Sequence, residues 1–413
     1  MYFRFLWVIP LARFFIPFIN NYFRQKSIDF ILKICDNKSM EKIGILGGTF
    51  NPVHKEHVAL AKSAVAELGL DKLYIMPTYI SPHKNLIPAP AVDRIEMLKI
   101  AFRGLDKIEI SDYEIQKQGK SYTYLTVEHF KEKLGAQIYF IVGGDMLTDF
   151  KTWKFPERIL AACDLAVFSR EDFFTDYIAE REYFKARFGK EFVKLSYTGK
   201  SASSTKIRVY TAFGLSVDGI APDGVGEYAI NKGLYGGDKY TEYIKRNLPL
   251  KRVKHTADVV TTALAKAKAL GLDEKKVFIA ATLHDCAKYV DPNSVEGFTL
   301  PNDVPPPVVH SFLGAFIAEN KLGVTDPEIL DAIRFHTSGK AEMTTLGKLI
   351  FVADMVEEGR VYDGVENLRK LYEKEDFENC FIECLKEEFL HLINKKQKIY
   401  VETINAFAYY VKN

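Results

Sequence analysis

From Met40 onward the chain alternates short apolar runs with stretches of helical period: KIGILGG, a helix from about His57 to Leu68, KLYIMP, a helix around Asp93–Phe102, then IYFIVGG. Continuous apolar runs of this length suit strands buried on both faces, and helices between them supply the crossovers that parallel strands need. The expected N-terminal architecture is α/β, a parallel sheet covered by helices on both sides. The alternation ends near Gly233, where NKGLYGGDKY offers glycines and polar residues for a connection over 233–240. Beyond it, residues 241–413 carry long helix-period stretches such as HTADVVTTALAKAKAL and KKVFIAATLHDCAKYV, with VPPPVV read as a loop between helices. No convincing alternating strand and no internal repeat occurs there, so the second domain is expected to be all-α. A length of 413 residues accommodates both domains, 40–232 and 241–413.

Composition restricts the partners. A net charge of +2 argues against a broad nucleic-acid-binding face, though a local basic pocket for phosphates remains compatible with it. The five cysteines, Cys35, Cys163, Cys286, Cys380 and Cys384, form no CxxC pair; they read as core thiols in a reducing, cytoplasmic compartment. Cys380 and Cys384, four apart in a helical pattern, read as one buried face rather than a metal pair. Residues 1–39 differ from the rest, being dense in aromatics with six Lys/Arg against two Asp. Arg4 and Arg13 interrupt their apolar stretch, which is too short for a stable membrane span. Two readings fit: a basic amphipathic anchor in a membrane interface, or an upstream extension with the functional start at Met40. The second is preferred, because MEKIGILGGTF begins a strand directly at Met40.

The string GGTFNPVHKEH follows the first apolar run and opens a helix. Gly47 and Gly48 remove side chains where backbone must approach a nucleotide, and the helix N-terminus beyond Thr49 and Phe50 offers amide donors to phosphate. His54 and His57, three apart, face one way from the first turn. Alone, each reads as a surface or capping residue. Two further strings change the balance: Ser81-Pro82-His83-Lys84 after the second apolar run, and Ser203-Ser204-Thr205-Lys206-Ile207-Arg208 late in the domain. Hydroxyl residues that cap a helix, followed by a cation on its first turn, make an anion cradle.

Together these strings resemble the nucleotidylyltransferase superfamily, whose signature is an HxGH pair with a late SSTxIR. Within it the chain is most similar to the bacterial nicotinate-nucleotide adenylyltransferase family, over roughly 40–232. Ser121-Tyr122-Thr123 with Thr126, Gly143-Gly144-Asp145, and Trp153 carry that finer resemblance. One position departs: Glu56 stands where the family usually has glycine. The resemblance implies a Rossmann-like nucleotidylyltransferase fold and adenylyl transfer from ATP, accompanied by Mg²⁺, to nicotinate mononucleotide. It implies that His54, His57, Lys84 and Arg208 stabilise phosphate charge. Gly47, Gly48, Thr49, Phe50, Asp145, Ser203, Ser204 and Thr205 would hold ATP, and Tyr122, Thr123 and Trp153 the pyridine. Asp145 also reads as a turn-capping acid, and Trp153 as core packing. Such a transfer needs alignment and charge neutralisation more than a covalent intermediate.

In the helical half, four of the nine histidines fall at intervals with two aspartates: His255, His284-Asp285, His310, His336 and Asp354. Imidazoles and carboxylates from different helices suit iron, manganese or a similar cation, and a carboxylate can bridge two ions. The strings RVKHT, LHDCAK, VVHSFLGA, IRFHTSG and KLIFVADMVEEGR, in that order, resemble the HD phosphohydrolase superfamily. More closely, they resemble the bacterial HD family that hydrolyses diadenosine tetraphosphate symmetrically into two ADP. The resemblance covers nearly all of 241–413 and implies a di-iron centre held by the six residues, with Asp285 bridging. Lys288 would meet a phosphate oxygen or remain solvated. Alternatives stay open: nicotinamide mononucleotide or a phosphopantetheine for the first half, and another signalling nucleotide or a metal-bound regulatory module for the second.

Overall fold

The computed structural model describes residues 40–80, 88–171, 174–200, 203–374 and 376–411, so the extension 1–39 and the Ser81–Lys84 string lie outside the described residues. Six strands, β1 (Lys42–Gly48), β2 (Lys72–Pro77), β3 (Ile108–Ile110), β4 (Gln137–Gly143), β5 (Asp164–Arg170) and β6 (Val193–Gly199), form one sheet. Every pairing is parallel and the order is β3-β2-β1-β4-β5-β6. β1 therefore lies between β2 and β4, the point where the sheet changes its direction of growth and a crevice opens beyond the strand ends.

The strands alternate their side chains between two apolar layers. Ile43, Ile45, Ile138, Phe140, Val142, Leu165 and Val167 share one layer with Val127 and Phe130 of a helix over Thr123–Leu134. On the opposite face Leu46, Leu73, Ile75, Ile141 and Leu195 cluster with residues of helices over Lys55–Leu68 and Ala91–Ala101. We label these helices α1 (Lys55–Leu68), α2 (Ala91–Ala101) and α3 (Thr123–Leu134), and the helix that carries the hydroxyl string α4 (Ser204–Ala212). Gly69 stops α1 with φ +62°, a left-handed cap that glycine adopts without steric cost.

Beyond Gly199 the described residues contain no strand. The second half is built on α5 (Leu250–Ala267), α6 (Glu274–Leu283), α7 (Pro306–Asn320), α8 (Pro327–Phe335), α9 (Thr345–Val356) and α10 (Phe377–Asn394). Asp273, Asp326, Thr344 and Asp376 cap α6, α8, α9 and α10 through backbone amides of their first turns. Two expectations shift here. α6 ends at Leu283, and His284-Asp285 lie in tight turns closed by Cys286 N to Leu283 O (3.1 Å) and Lys288 N to Asp285 O (3.0 Å). VPPPVV is not wholly loop: Pro306 and Pro307 form the first turn of α7, where a missing N–H costs no helical bond. Cys380 and Cys384 are both fully buried on α10.

The two halves share interior. One buried cluster runs from Leu46 and Ile141 of the sheet through Ile207, Tyr210 and Phe213 to Val253 and Ala257 of α5 and Phe351 of α9. α4 is the wall common to both, packing directly along α5. Among the described residues no helix is long and apolar enough to cross a membrane.

Candidate functional site

The first candidate site lies at the switch point, beyond the C-terminal ends of β1 and β4. A Cβ on Gly48 would lie 3.0 Å from the Phe50 ring, so glycine lets the ring fold back over the end of β1 without displacement. His54 is the N-cap of α1. Its Nδ1 accepts from His57 N (3.3 Å), His57 Nδ1 accepts from His54 N (3.2 Å), and the rings stack with centroids 3.5 Å apart. An imidazole that accepts at Nδ1 carries its proton on Nε2 when neutral. The capping and functional readings of the pair are thus compatible: the cap fixes the tautomer and puts each neutral ring's proton on Nε2, a donor of the kind a phosphate oxygen accepts.

Glu56 turns the other way. Its carboxylate accepts from Tyr197 OH (2.6 Å) and from Lys200 N (3.0 Å), tying α1 to β6 rather than facing the histidines' donors.

The hydroxyl string meets the histidine loop directly. Ser203 caps α4 by accepting from Thr205 N (3.1 Å), Ser204 Oγ donates to Pro52 O (2.8 Å), and Arg208 donates to Asn51 O (2.9 Å) and Thr205 Oγ1 (3.0 Å). A second arginine, absent from the sequence reading, does the same from α2: Arg94, 1% exposed, donates to Thr49 O (2.8 Å) and Ala89 O (3.1 Å). Burial lowers the pKa of both guanidinium groups, and among the described residues neither pairs with a carboxylate. One buried and one half-buried cation, both braced on carbonyls around one loop, favour an anion there. The legible signal for Arg94 was its place on an apolar helical face, three and four residues before Met97 and Leu98.

Across the switch point, Asp145 sits in the first turn of a short helix over Gly144–Asp149, with Arg170 Nη1 3.6 Å away. A Cβ on Gly143 would come 2.4 Å from Asp145 Oδ1, so glycine permits this folded-back carboxylate. Tyr122 caps α3 with Lys154 Nζ 4.5 Å above its ring, Thr123 is the first residue of α3, and Thr126 donates to buried Glu114 (2.6 Å). Trp153 is 8% exposed and packs on Phe140 and Phe150, so it presents little surface to a ligand.

The second candidate site is buried among the helices, and it gathers all six sequence-read residues. Three groups, His255/His284/Asp285, His284/His336/Asp354 and Asp285/His310/His336, each hold ligand atoms within 4.8 Å of one another. Nδ1–H of His284 donates to Ala281 O (2.7 Å) and that of His336 to Ile333 O (2.8 Å), so in both neutral rings Nε2 bears a lone pair. Each faces another ring nitrogen: His284 Nε2 lies 3.4 Å from His255 Nε2, and His336 Nε2 lies 3.3 Å from His310 Nε2. Asp285 divides its oxygens between the two pairs. Oδ1 lies 3.0 Å from His310 Nε2 and 3.5 Å from His336 Nε2, while Oδ2 lies 3.8 Å from both His255 and His284 Nε2.

Converging lone pairs and carboxylates demand positive charge. Arg252 Nη1 reaches Asp285 Oδ2 (2.8 Å), Lys288 Nζ stands 3.0 Å from His310 Nε2 and 3.4 Å from Asp285 Oδ1, and Arg360 pairs with Asp354. Burial alone would raise the pKa of Asp285, but His284, His310, His336 and Lys288 hold it well below the usual carboxylate range. Asp354 is held low in the same way by His255, Arg360 and His284. Burial pushes His284 down to about 3 and also lowers His310. His255 behaves differently. Its burial is outweighed by Asp354 (Nε2–Oδ1 3.0 Å) and Glu357 (Nδ1–Oε1 3.0 Å), which raise its pKa and keep a proton between two carboxylates. The donor set fits a cation, because a divalent ion would replace that proton and satisfy the facing lone pairs. Arg252, Glu357, Arg360 and Thr337, whose Oγ1 is 3.0 Å from His336 Nε2, were not singled out from sequence. Nothing in VADMVEEGR distinguishes Glu357 from its neighbour Glu358 before folding.

Residues 45–209 match the family model described as cytidylyltransferase-like, and residues 252–359 match that of the HD domain. A Mycoplasma genitalium protein named probable nicotinate-nucleotide adenylyltransferase/Ap4A hydrolase is 29% identical over 327 residues, covering 78% of this chain and 88% of that protein. A Clostridium botulinum protein named probable nicotinate-nucleotide adenylyltransferase is 37% identical over 195 residues, covering 46% of this chain and 97% of that protein. Among solved structures, a predicted HD superfamily hydrolase involved in NAD metabolism from Clostridium acetobutylicum aligns at 32% identity with a TM-score of 0.39, covering 42% of this chain and 96% of that one. The chain belongs to the nicotinate-nucleotide adenylyltransferase family and carries an HD domain in the same polypeptide.

Proposed function

We propose that this chain is a bifunctional cytoplasmic enzyme with its activities divided at the connection 233–240. The first half transfers AMP from ATP to nicotinate mononucleotide. A phosphate oxygen of the mononucleotide attacks the α-phosphorus of ATP, the bond to the β-bridging oxygen breaks, and deamido-NAD and pyrophosphate form. The observation that carries this reading is the joined loop: Ser204 and Arg208 of the hydroxyl-string helix bond to the carbonyls of Pro52 and Asn51, the stretch of backbone that leads into the His54/His57 cap. His54, His57 and Arg208, together with Lys84 as read from the sequence, offset charge on the phosphates, with Mg²⁺ accompanying ATP. Gly47, Gly48, Thr49, Phe50, Asp145, Ser203, Ser204 and Thr205 hold ATP, and Tyr122 and Thr123 line the pyridine side.

The second half hydrolyses diadenosine tetraphosphate between its second and third phosphates to two ADP. His255, His284, Asp285, His310, His336 and Asp354 would hold two iron ions, with Asp285 shared between them. Such a pair supplies a hydroxide and screens phosphate charge. Arg252, Lys288 and Arg360 neutralise the carboxylates and receive phosphate oxygens, and Glu357 keeps His255 oriented.

Two assays on the purified full-length protein test the reading. With ATP, nicotinate mononucleotide should be the better acceptor by at least tenfold in kcat/KM; preference for nicotinamide mononucleotide or a phosphopantetheine would overturn the first assignment. With Fe²⁺, diadenosine tetraphosphate should yield ADP alone. ATP plus AMP as products, or no turnover, would overturn the second.

A further inference from the structure

The second site's His255 is held from behind by Glu357, on a turn that a side chain of the first half reaches through Asp258. His255 Nδ1 bonds Glu357 Oε1 at 3.0 Å, and Glu357 folds onto its own turn by accepting from Gly359 N. A Cβ at Gly359 would meet Glu357 oxygens at 3.0 and 3.3 Å and Asp258 Oδ2 at 3.6 Å. Two carboxylates, each 3% exposed, therefore press on the same turn. Buried like charges this close persist only if each has its own donors. Glu357 has His255 and Gly359 N. Asp258 has Lys254 Nζ (2.7 Å) on Oδ2 and, on Oδ1, the hydroxyl of Tyr210 at 2.5 Å. Tyr210 belongs to α4, the helix whose first turn carries the hydroxyl string. A second, more exposed tie runs beside it, from Lys206 of α4 to Glu358.

We infer that Tyr210 is a positioning residue for His255, acting through Asp258 and the Gly359 turn, so that the second site is completed by a side chain of the first half. Removing its hydroxyl leaves Asp258 Oδ1 buried with one donor fewer. The carboxylate then competes with Glu357 for Gly359 N and Lys254, and Glu357 loses its fixed placement against His255. The inference rests on the metal-site reading above.

The test uses the full-length protein freed of metal, titrated calorimetrically with Mn²⁺, with thermal unfolding as a check on folding. Tyr210→Phe should weaken Mn²⁺ affinity by about tenfold, the scale of lost outer contacts to metal ligands. Asp258→Asn should weaken it comparably, and the double variant no more than the worse single one, because both act on one linkage. If Tyr210→Phe fails to fold, Asp258→Asn decides alone. Affinity within twofold of the parent for either folded variant, or losses that multiply in the double variant, overturns the inference. A parent protein that binds no Mn²⁺ overturns the metal-site reading itself.

Discussion

The two sites solve the same problem, handling phosphate charge, with opposite materials. At the first, backbone does much of the work: glycine turns, two helix N-caps and arginines bonded to carbonyls shape a loop beyond the sheet edge. At the second, side chains from distant parts of the chain converge in a buried cluster whose lone pairs and carboxylates call for a cation. Each piece of a backbone-built site is written as a contiguous string, because a turn and its cap are neighbours in sequence, even where the strings lie far apart. A side-chain-built site is scattered, because each helix contributes a single spot. The first should therefore tolerate loss of one donor better than the second tolerates loss of its shared carboxylate.

The sharpest way to break this comparison is Asp285→Ala. It removes the carboxylate whose two oxygens face the two histidine pairs, so metal affinity should fall by more than about 100-fold, beyond the usual cost of losing an outer contact. Hydrolysis should vanish while adenylyl transfer stays within twofold. Metal content and hydrolysis that both persist would mean the site is misplaced. At the first site, His54→Asn keeps a good capping side chain but removes the Nε2–H donor. We expect kcat for adenylyl transfer to drop by about 100-fold, with unfolding free energy within about 0.5 kcal/mol of the parent. An equal loss of stability and activity would show that capping was the histidine's whole role.

Acid should separate the halves next. Burial lowers His284 from 6.5 to about 3, so its neutral form stabilises the native metal-free protein fully above pH 6.5, and that contribution is lost as pH falls toward 3. His255 is raised, so its contribution has the opposite sign, present below 6.5 and lost as pH rises through its folded value. In urea titrations of the metal-free protein, His284→Gln should flatten the acid-side decline; an unchanged slope would refute the assignment. The smallest functional effect is expected for Glu56→Gly. Losing its bonds to Tyr197 and Lys200 and placing glycine in a helix should cost about 2 kcal/mol of stability, with KM for ATP within twofold. A larger change in KM would mean that the carboxylate senses the nucleotide.

Legibility followed the same division. The alternating texture from Met40 to IYFIVGG was enough for the parallel sheet, since both its periods and its crossovers are local properties. The order of His255, His284-Asp285, His310, His336 and Asp354 was enough to nominate the ligands. What sequence misread was local chemistry under tertiary constraint: α6 stops at Leu283 so that His284 and Asp285 can turn inward, and prolines read as loop start α7. Trp153, nominated for the pyridine side, lies packed on Phe140 and Phe150.

By itself, then, the sequence determined which half is sheet and which is helix, and which residue types could handle phosphate or metal, because periodicity and residue chemistry belong to short segments. Only the tertiary structure decided where Glu56 points, which of Glu357 and Glu358 supports His255, that Arg94 braces the first loop, and that Tyr210 reaches Asp258 across the halves. Each of those depends on an atom a few ångströms away in space but between 45 and 141 residues away in sequence, and such distances are set by packing.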